Sequence, residues 1–243
     1  MTYNLQYSRF NDCSILIEWP AIIDEFMLRE VLNFKNTIEN SNIKQRVEVI
    51  STYNSILVVY ILTIENVNDE ILKLKALFLE RNELKKIKTT VWQIPVCYDS
   101  EFGMDLESFS KEKKLSKPEI IKLHSEAIYT VFFIGFLPGF LYLGGLDSRL
   151  FLDRKTTPRL NVKKGSVAIG GQQTGIYPQD SPGGWHCIGN SPIQLFDTLQ
   201  NPPCIIKAGD KVKFSPVDKQ KYVDIQDAVR TSNYQLKHFN THA

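Results

Sequence analysis

The sequence predicts an α+β chain in two domains, and three observations carry that prediction. Its first hundred residues alternate helix-period and strand-like segments, and its second half is a run of short β-rich pieces. Between those pieces lies a window dense in glycine and proline, Gly165–Phe196, where no helical period survives. With 243 residues and 43% hydrophobic content there is core enough for two domains of modest size.

The elements follow in order. Leu5–Phe10 reads as an edge strand and Ser14–Trp19 as a β-rich segment ending at Pro20. From Ile22 to about Asn40, apolar residues recur at Ile23, Met27, Val31, Phe34 and Ile38, the stripe of an amphipathic helix. Arg46–Tyr53 and Ser55–Leu62, split by Asn54, form a predicted hairpin. A second helix opens after Asn66 or Asn68, with Asp69 and Glu70 favouring its dipole and Ile71, Leu74 and Phe78 facing inward. Thr89–Val96 is then a strand. The order β-α-β-β-α-β is that of a ferredoxin-like sandwich, expected over residues 1–92.

In the second half, Ser116 and Glu119 mark a helix start, with the helix running to about Tyr129. The strands expected after it are Val131–Phe136, Phe140–Leu143, Ser166–Ile169, His186–Ile188, Ile193–Phe196, Ile205–Lys207 and Lys211–Phe214. Their spacing predicts a β-barrel or sandwich over residues 93–243. Asp218 can cap a short last helix, and the final dozen residues read as a frayed tail.

Composition narrows the function classes. A net charge of +2 gives no reason to expect nucleic acid or an anionic membrane as partner. The N-terminus has no apolar signal core, and the longest apolar run is too short to span a bilayer, so a soluble cytoplasmic protein is expected. Cys13, Cys97, Cys187 and Cys204 have neither CxxC nor metal-ligand spacing, so they are expected to be free thiols, with no metal site. No GxxxxGK[ST] loop, GxSxG elbow or HExxH helix occurs.

The side chains of the glycine-rich window are mostly neutral hydrogen-bonders, the equipment of a pocket or docking surface. His186, after Gly183-Gly184-Trp185, is the histidine that stands out: it transfers a proton or has a purely structural place in the loop. Arg159 suits a carboxylate or phosphate through its fork, or makes an ordinary ion pair. Gln172, Gln173 and Thr174 hold a ligand amide or satisfy loop backbone. Trp185 floors a pocket or joins the core. The run Phe132–Leu146 is core except at Pro138-Gly139-Phe140, where a turn would present aromatic surface to a partner.

Taken together, IGFLPGFLYLGGL at Ile134–Leu146, Pro158-Arg159, GSVAIGGQQTGIYP at Gly165–Pro178, SPGGW at Ser181–Trp185 and LFD at Leu195–Asp197 resemble one family. It comprises the B subunit of 5-oxoprolinase, also called allophanate hydrolase subunit 1, and the sporulation-kinase inhibitor KipI. The likeness is dense from Val131 to Phe214 and looser before it. It implies a C-terminal cyclophilin-like β-barrel behind the small α+β domain. It also implies a share in ATP-dependent opening of 5-oxoproline to glutamate, together with the A and C subunits of that enzyme. ATP would then be used by the complex, with no cofactor bound by this chain alone.

On that resemblance the catalytic candidates are His186 and Arg159. The substrate-binding candidates are Gln172, Gln173, Thr174, Tyr177, Trp185 and Asn190. The candidate partner interface is Phe136, Pro138, Phe140 and Tyr142. Two alternatives remain: a KipI-like protein docking on a sensor histidine kinase, and a component of the allophanate hydrolase or urea amidolyase type. The chain departs from the family pattern at Tyr98-Asp99-Ser100, at Met104, at Asp153-Arg154-Lys155 and at Asn190, where an arginine is usual.

Overall fold

The computed structural model describes residues 3–41, 46–81 and 88–242. It folds as two compact units, Met1–Lys86 and Ile87–Ala243.

In the first unit, β1 (Gln6–Asn11) and β2 (Ser14–Glu18) form an antiparallel hairpin. Helix α1 (Glu25–Glu39) starts at Asp24, whose carboxylate accepts the Met27 amide at 2.9 Å. The predicted stripe of Met27, Val31, Phe34 and Ile38 is buried, whereas Ile23 lies before the helix and is exposed. β3 (Arg46–Ser51) and β4 (Ser55–Tyr60) make the expected hairpin, and Ile56, Val58 and Tyr60 alternate inward. Asn66 caps α2 (Val67–Glu80), which buries Leu74 and Phe78. The sheet runs β1-β2-β4-β3. Against it Trp19, Phe34 and Phe78 meet edge to face with centroids 5.0–6.2 Å apart.

The ferredoxin-like expectation fails at its last strand. β5 (Lys88–Val96) pairs in the other unit, parallel to β13 (Lys211–Pro216) and antiparallel to β14 (His238–His242). In the first sheet β1 sits beside β2 instead, since a two-residue turn joins them at little entropic cost. β5 therefore belongs with the second unit.

The second unit contains α3 (Leu106–Lys113), α4 (Lys117–Glu126), β6 (Ile128–Ile134), β7 (Leu141–Gly144), β8 (Arg159–Val162) and β9 (Ser166–Gly170). They are followed by β10 (Gln173–Ile176), β11 (Ser181–Gly183), β12 (His186–Asn190), β13, α5 (Lys219–Arg230) and β14. Eight strands form one sheet in the order β12-β9-β10-β7-β6-β13-β5-β14, and β8 with β11 makes a separate two-stranded ribbon. Among the described residues the strands do not close into the expected cyclophilin-like barrel. The outermost strands do not pair with each other, and a lone antiparallel bridge, Cys97 to Asn190, links the end of β5 to the end of β12.

Other boundaries moved for local reasons. Helix α4 begins at Ser116, whose hydroxyl accepts the Glu119 amide, but it stops at Glu126, and Tyr129 enters β6. Segments 193–196 and 205–207, expected as strands, make no ladder. The supposed frayed tail carries β14, paired along β5. The core is lined by Ile94, Val96, Tyr129, Val131, Leu141, Leu143, Val167, Ile169, Ile188 and Phe214, each buried aliphatic contributing about 1.5–3 kcal/mol relative to exposure.

Candidate functional site

The face with most chemistry is built where the β8–β11 ribbon and the segment before it meet β12. Its centre is Asp105, a residue that composition and spacing did not single out. Gly103 brings the chain so close to β12 that a Cβ there would collide with the Ile188 carbonyl. The Asp105 amide then donates to the Cys187 carbonyl at 2.9 Å, and its carboxylate accepts the Cys187 amide at 2.8 Å. The same carboxylate takes Lys155 Nζ at 2.8 Å and both Arg159 Nη atoms at 2.9 Å. Burial pushes its pKa up, but the bonds from Arg159, Lys155 and the Cys187 amide outweigh that and hold it down at about 2. Asp105 therefore stays ionised. Its signal in the sequence was only its place in Gly103-Met104-Asp105-Leu106.

Arg159 thus makes an ion pair, with its side chain still 34% exposed. His186 is half-buried on β12: its Nε2 lies 2.9 Å from the Asp153 carbonyl and its ring meets the edge of Phe109 at 5.9 Å. Against this carbonyl Nε2 acts as donor. The thiol of Cys187 is buried and pushed up to about 11 by that burial, so it is not a ready nucleophile.

An aromatic cluster backs the face. Trp185 packs edge-on against Phe140 at 5.5 Å and Tyr142 at 5.8 Å, with Tyr177 meeting Phe140 at 5.1 Å. Gly170 lets the indole lie flat on β9, where any Cβ would stand 2.6 Å from the ring. Arg154 covers the indole from 5.6 Å. Trp185, Tyr177 and Phe140 are accordingly buried, and Tyr142 half-buried. Phe136 and Pro138 are exposed, Phe136 by 63% and in the left-handed region at φ 68°.

The remaining candidates separate. Gln172 is exposed on the β9–β10 turn and Gln173 is half-buried at the start of β10. Thr174 is wholly buried and belongs to a closed relay. Its hydroxyl donates to the Ala168 carbonyl at 3.0 Å, so it accepts from His124 Nε2 at 2.9 Å, and Nδ1 accepts from the Tyr98 hydroxyl at 2.8 Å. Burial drives the His124 pKa down to about 3, so the ring is neutral. Asn190, also buried, ties three segments together: its amide donates to the Lys164 carbonyl at 2.9 Å and its carbonyl oxygen accepts the Tyr222 hydroxyl at 2.8 Å. Among the described residues no group of three or more His, Cys, Asp and Glu side chains is placed to hold a metal ion. No helix among them is long and apolar enough to cross a membrane.

Residues 5–206 match the family model described as carboxyltransferase domain, subdomain C and D. The chain belongs to that family. It is 34% identical over 235 residues to a Bacillus subtilis (strain 168) protein named as the B subunit of 5-oxoprolinase, covering 91% of this chain and 97% of that one. A Haemophilus influenzae protein of the same name is 52% identical over 122 residues, half of this chain and 57% of its own length. Among solved structures, TTHA0988 superposes with a TM-score of 0.73 at 28% identity, covering 84% of this chain. The chain spans only 40% of TTHA0988. The recognised family therefore holds, while the likeness by itself assigns no residue a role.

Proposed function

We propose that this family member is the B subunit of a heteromeric, ATP-dependent 5-oxoprolinase and has no turnover without its partners, the A and C subunits. The observation that carries the reading is the 34% identity running along nearly the whole of both this chain and its Bacillus subtilis relative. A lactam carbonyl is a poor electrophile. Phosphorylation of its oxygen by ATP, with release of ADP, would expose the ring carbon to water; loss of inorganic phosphate and cleavage of the C–N bond would then give glutamate. Supporting a partial share in that chemistry, the ionisable groups of the face are engaged within the chain: Asp105 with two cations, and His186 with the backbone carbonyl of Asp153. A second chain would have to complete the site, with the C subunit the direct partner and ATP entering with the assembly.

The test is reconstitution. The purified chain should release no glutamate from 5-oxoproline and ATP, and adding the A and C subunits should restore release. Absence of turnover with all three present would remove this reading. The exposed Phe136 and Pro138 favour one further reading, docking on a sensor histidine kinase, which an autophosphorylation assay with added chain decides.

A further inference from the structure

The ion cluster around Asp105 is overbuilt for holding the fold. Neutralising one sealed carboxylate takes one cation, yet two are fixed on it, and bringing like charges together costs energy that a second anion would recover. Asp105 is only 5% exposed at its side chain, whereas Lys155 and Arg159 reach solvent at 24% and 34%. The four bonds from Lys155, Arg159 (two) and the Cys187 amide use the lone-pair capacity of the carboxylate. Each cation still keeps N–H donors that Asp105 does not use.

Backbone contacts fix both cations. The Lys155 amide donates to the Gly184 carbonyl at 2.7 Å, and Arg159 stands opposite Gly183 in the β8–β11 ribbon. The neighbouring acid Asp180 is occupied by Lys163 at 2.9 Å and by the Lys164 amide at 2.8 Å, and so does not compete for them.

Resting on the 5-oxoprolinase reading, we propose that Lys155 and Arg159 receive the carboxylate of a small cyclic acid, and that Asp105 is the positioning residue that aims them. The net charge of the trio is one positive, which matches a monoanionic carboxylate better than a phosphate dianion. A forked guanidinium held in plane on one carboxylate presents its remaining edge in a fixed direction to another. The acid is thus read by this chain before any partner acts on the ring.

The experiment titrates the full chain with 5-oxo-L-proline, with 2-pyrrolidinone (the same lactam lacking the carboxylate) and with inorganic phosphate, by calorimetry or ligand-observed NMR. Wild type should bind 5-oxoproline, prefer it over 2-pyrrolidinone by about tenfold or more, and bind phosphate more weakly. K155M and R159M should each erase most of that preference while leaving the weak affinity for 2-pyrrolidinone unchanged, and R159K should restore part of it. Loss of folding would lower affinity for both lactams together, and K155M leaves the Arg159–Asp105 pair in place as the milder variant. D105N should behave like the cation variants.

No binding by the wild-type chain, equal binding of the two lactams, tighter binding of phosphate, or a preference that survives both cation variants would each overturn the proposal. Its failure is separable from that of the enzyme reading, which stands or falls on ATP-dependent glutamate release by the reconstituted wild-type complex.

Discussion

His124 shows how a single buried residue sets a pH dependence. Folded, it is neutral with a pKa of about 3, while the unfolded chain offers the ordinary value of 6.5. Between those values the unfolded state binds more protons, so folding stability falls as the pH drops below 6.5, by up to ~1.4 kcal/mol per unit, until about pH 3. We expect urea midpoints of wild type to decline over that range and the decline to flatten in His124→Gln. An unaltered slope in that variant would remove His124 as the cause. Asp105 has the opposite chemistry but the same direction: its lowered pKa supports the fold above pH 4, and that support disappears as the pH falls toward 2. None of this is readable in the sequence, where His124 is one more residue of the helix that Ser116 opens. Only the packing of Phe214, stacked on its ring at 4.5 Å, and of Tyr98 and Thr174 seals it.

At the scale of elements, capping and periodicity did their work in α1, α2 and the start of α4. Asp24, Asn66 and Ser116 all cap helices by accepting amides; Asn66 and Ser116 are visible as polar residues ahead of an apolar stripe, whereas Asp24 lies inside the stretch from Ile22 that reads as helix. What periodicity missed are helix α3 and the short strands β8, β10 and β11, the last two lying where glycines and prolines read as loop. Helix α5 is held to the sheet by the buried bond from Tyr222 to Asn190. Removing that hydroxyl in Tyr222→Phe leaves the Asn190 carbonyl oxygen short of a donor and should cost about 1–3 kcal/mol. The check is a lower urea midpoint with an unchanged m-value. Asn190, a candidate substrate contact, joins strand, loop and helix through its two side-chain bonds. Thr174 likewise serves the buried relay.

For the molecule as a whole, the two units have separate hydrophobic cores. The second unit contains β5 together with both strands that flank it, so a chain cut to residues 87–243 should keep a cooperative fold with dispersed amide signals in NMR. A cut at 93, at the boundary the sequence reading proposed, removes the first part of β5 and should leave an unstable product. The parallel pairing of β5 with β13 is the reason: it joins residues more than a hundred positions apart, and no local pattern announces a partner at that distance.

What the sequence determined alone was the family, the two helices of the first unit, the capped start of α4 at Ser116 and the hairpin at Asn54. Those are matters of short-range spacing and residue type, which a linear reading can weigh. Tertiary structure alone decided which unit owns β5, that the sheet stays open, and that Asp105 sits beneath Lys155 and Arg159. Each of these depends on groups about fifty or more residues apart competing for the same hydrogen-bond partners, and that competition is resolved only when the chain is packed.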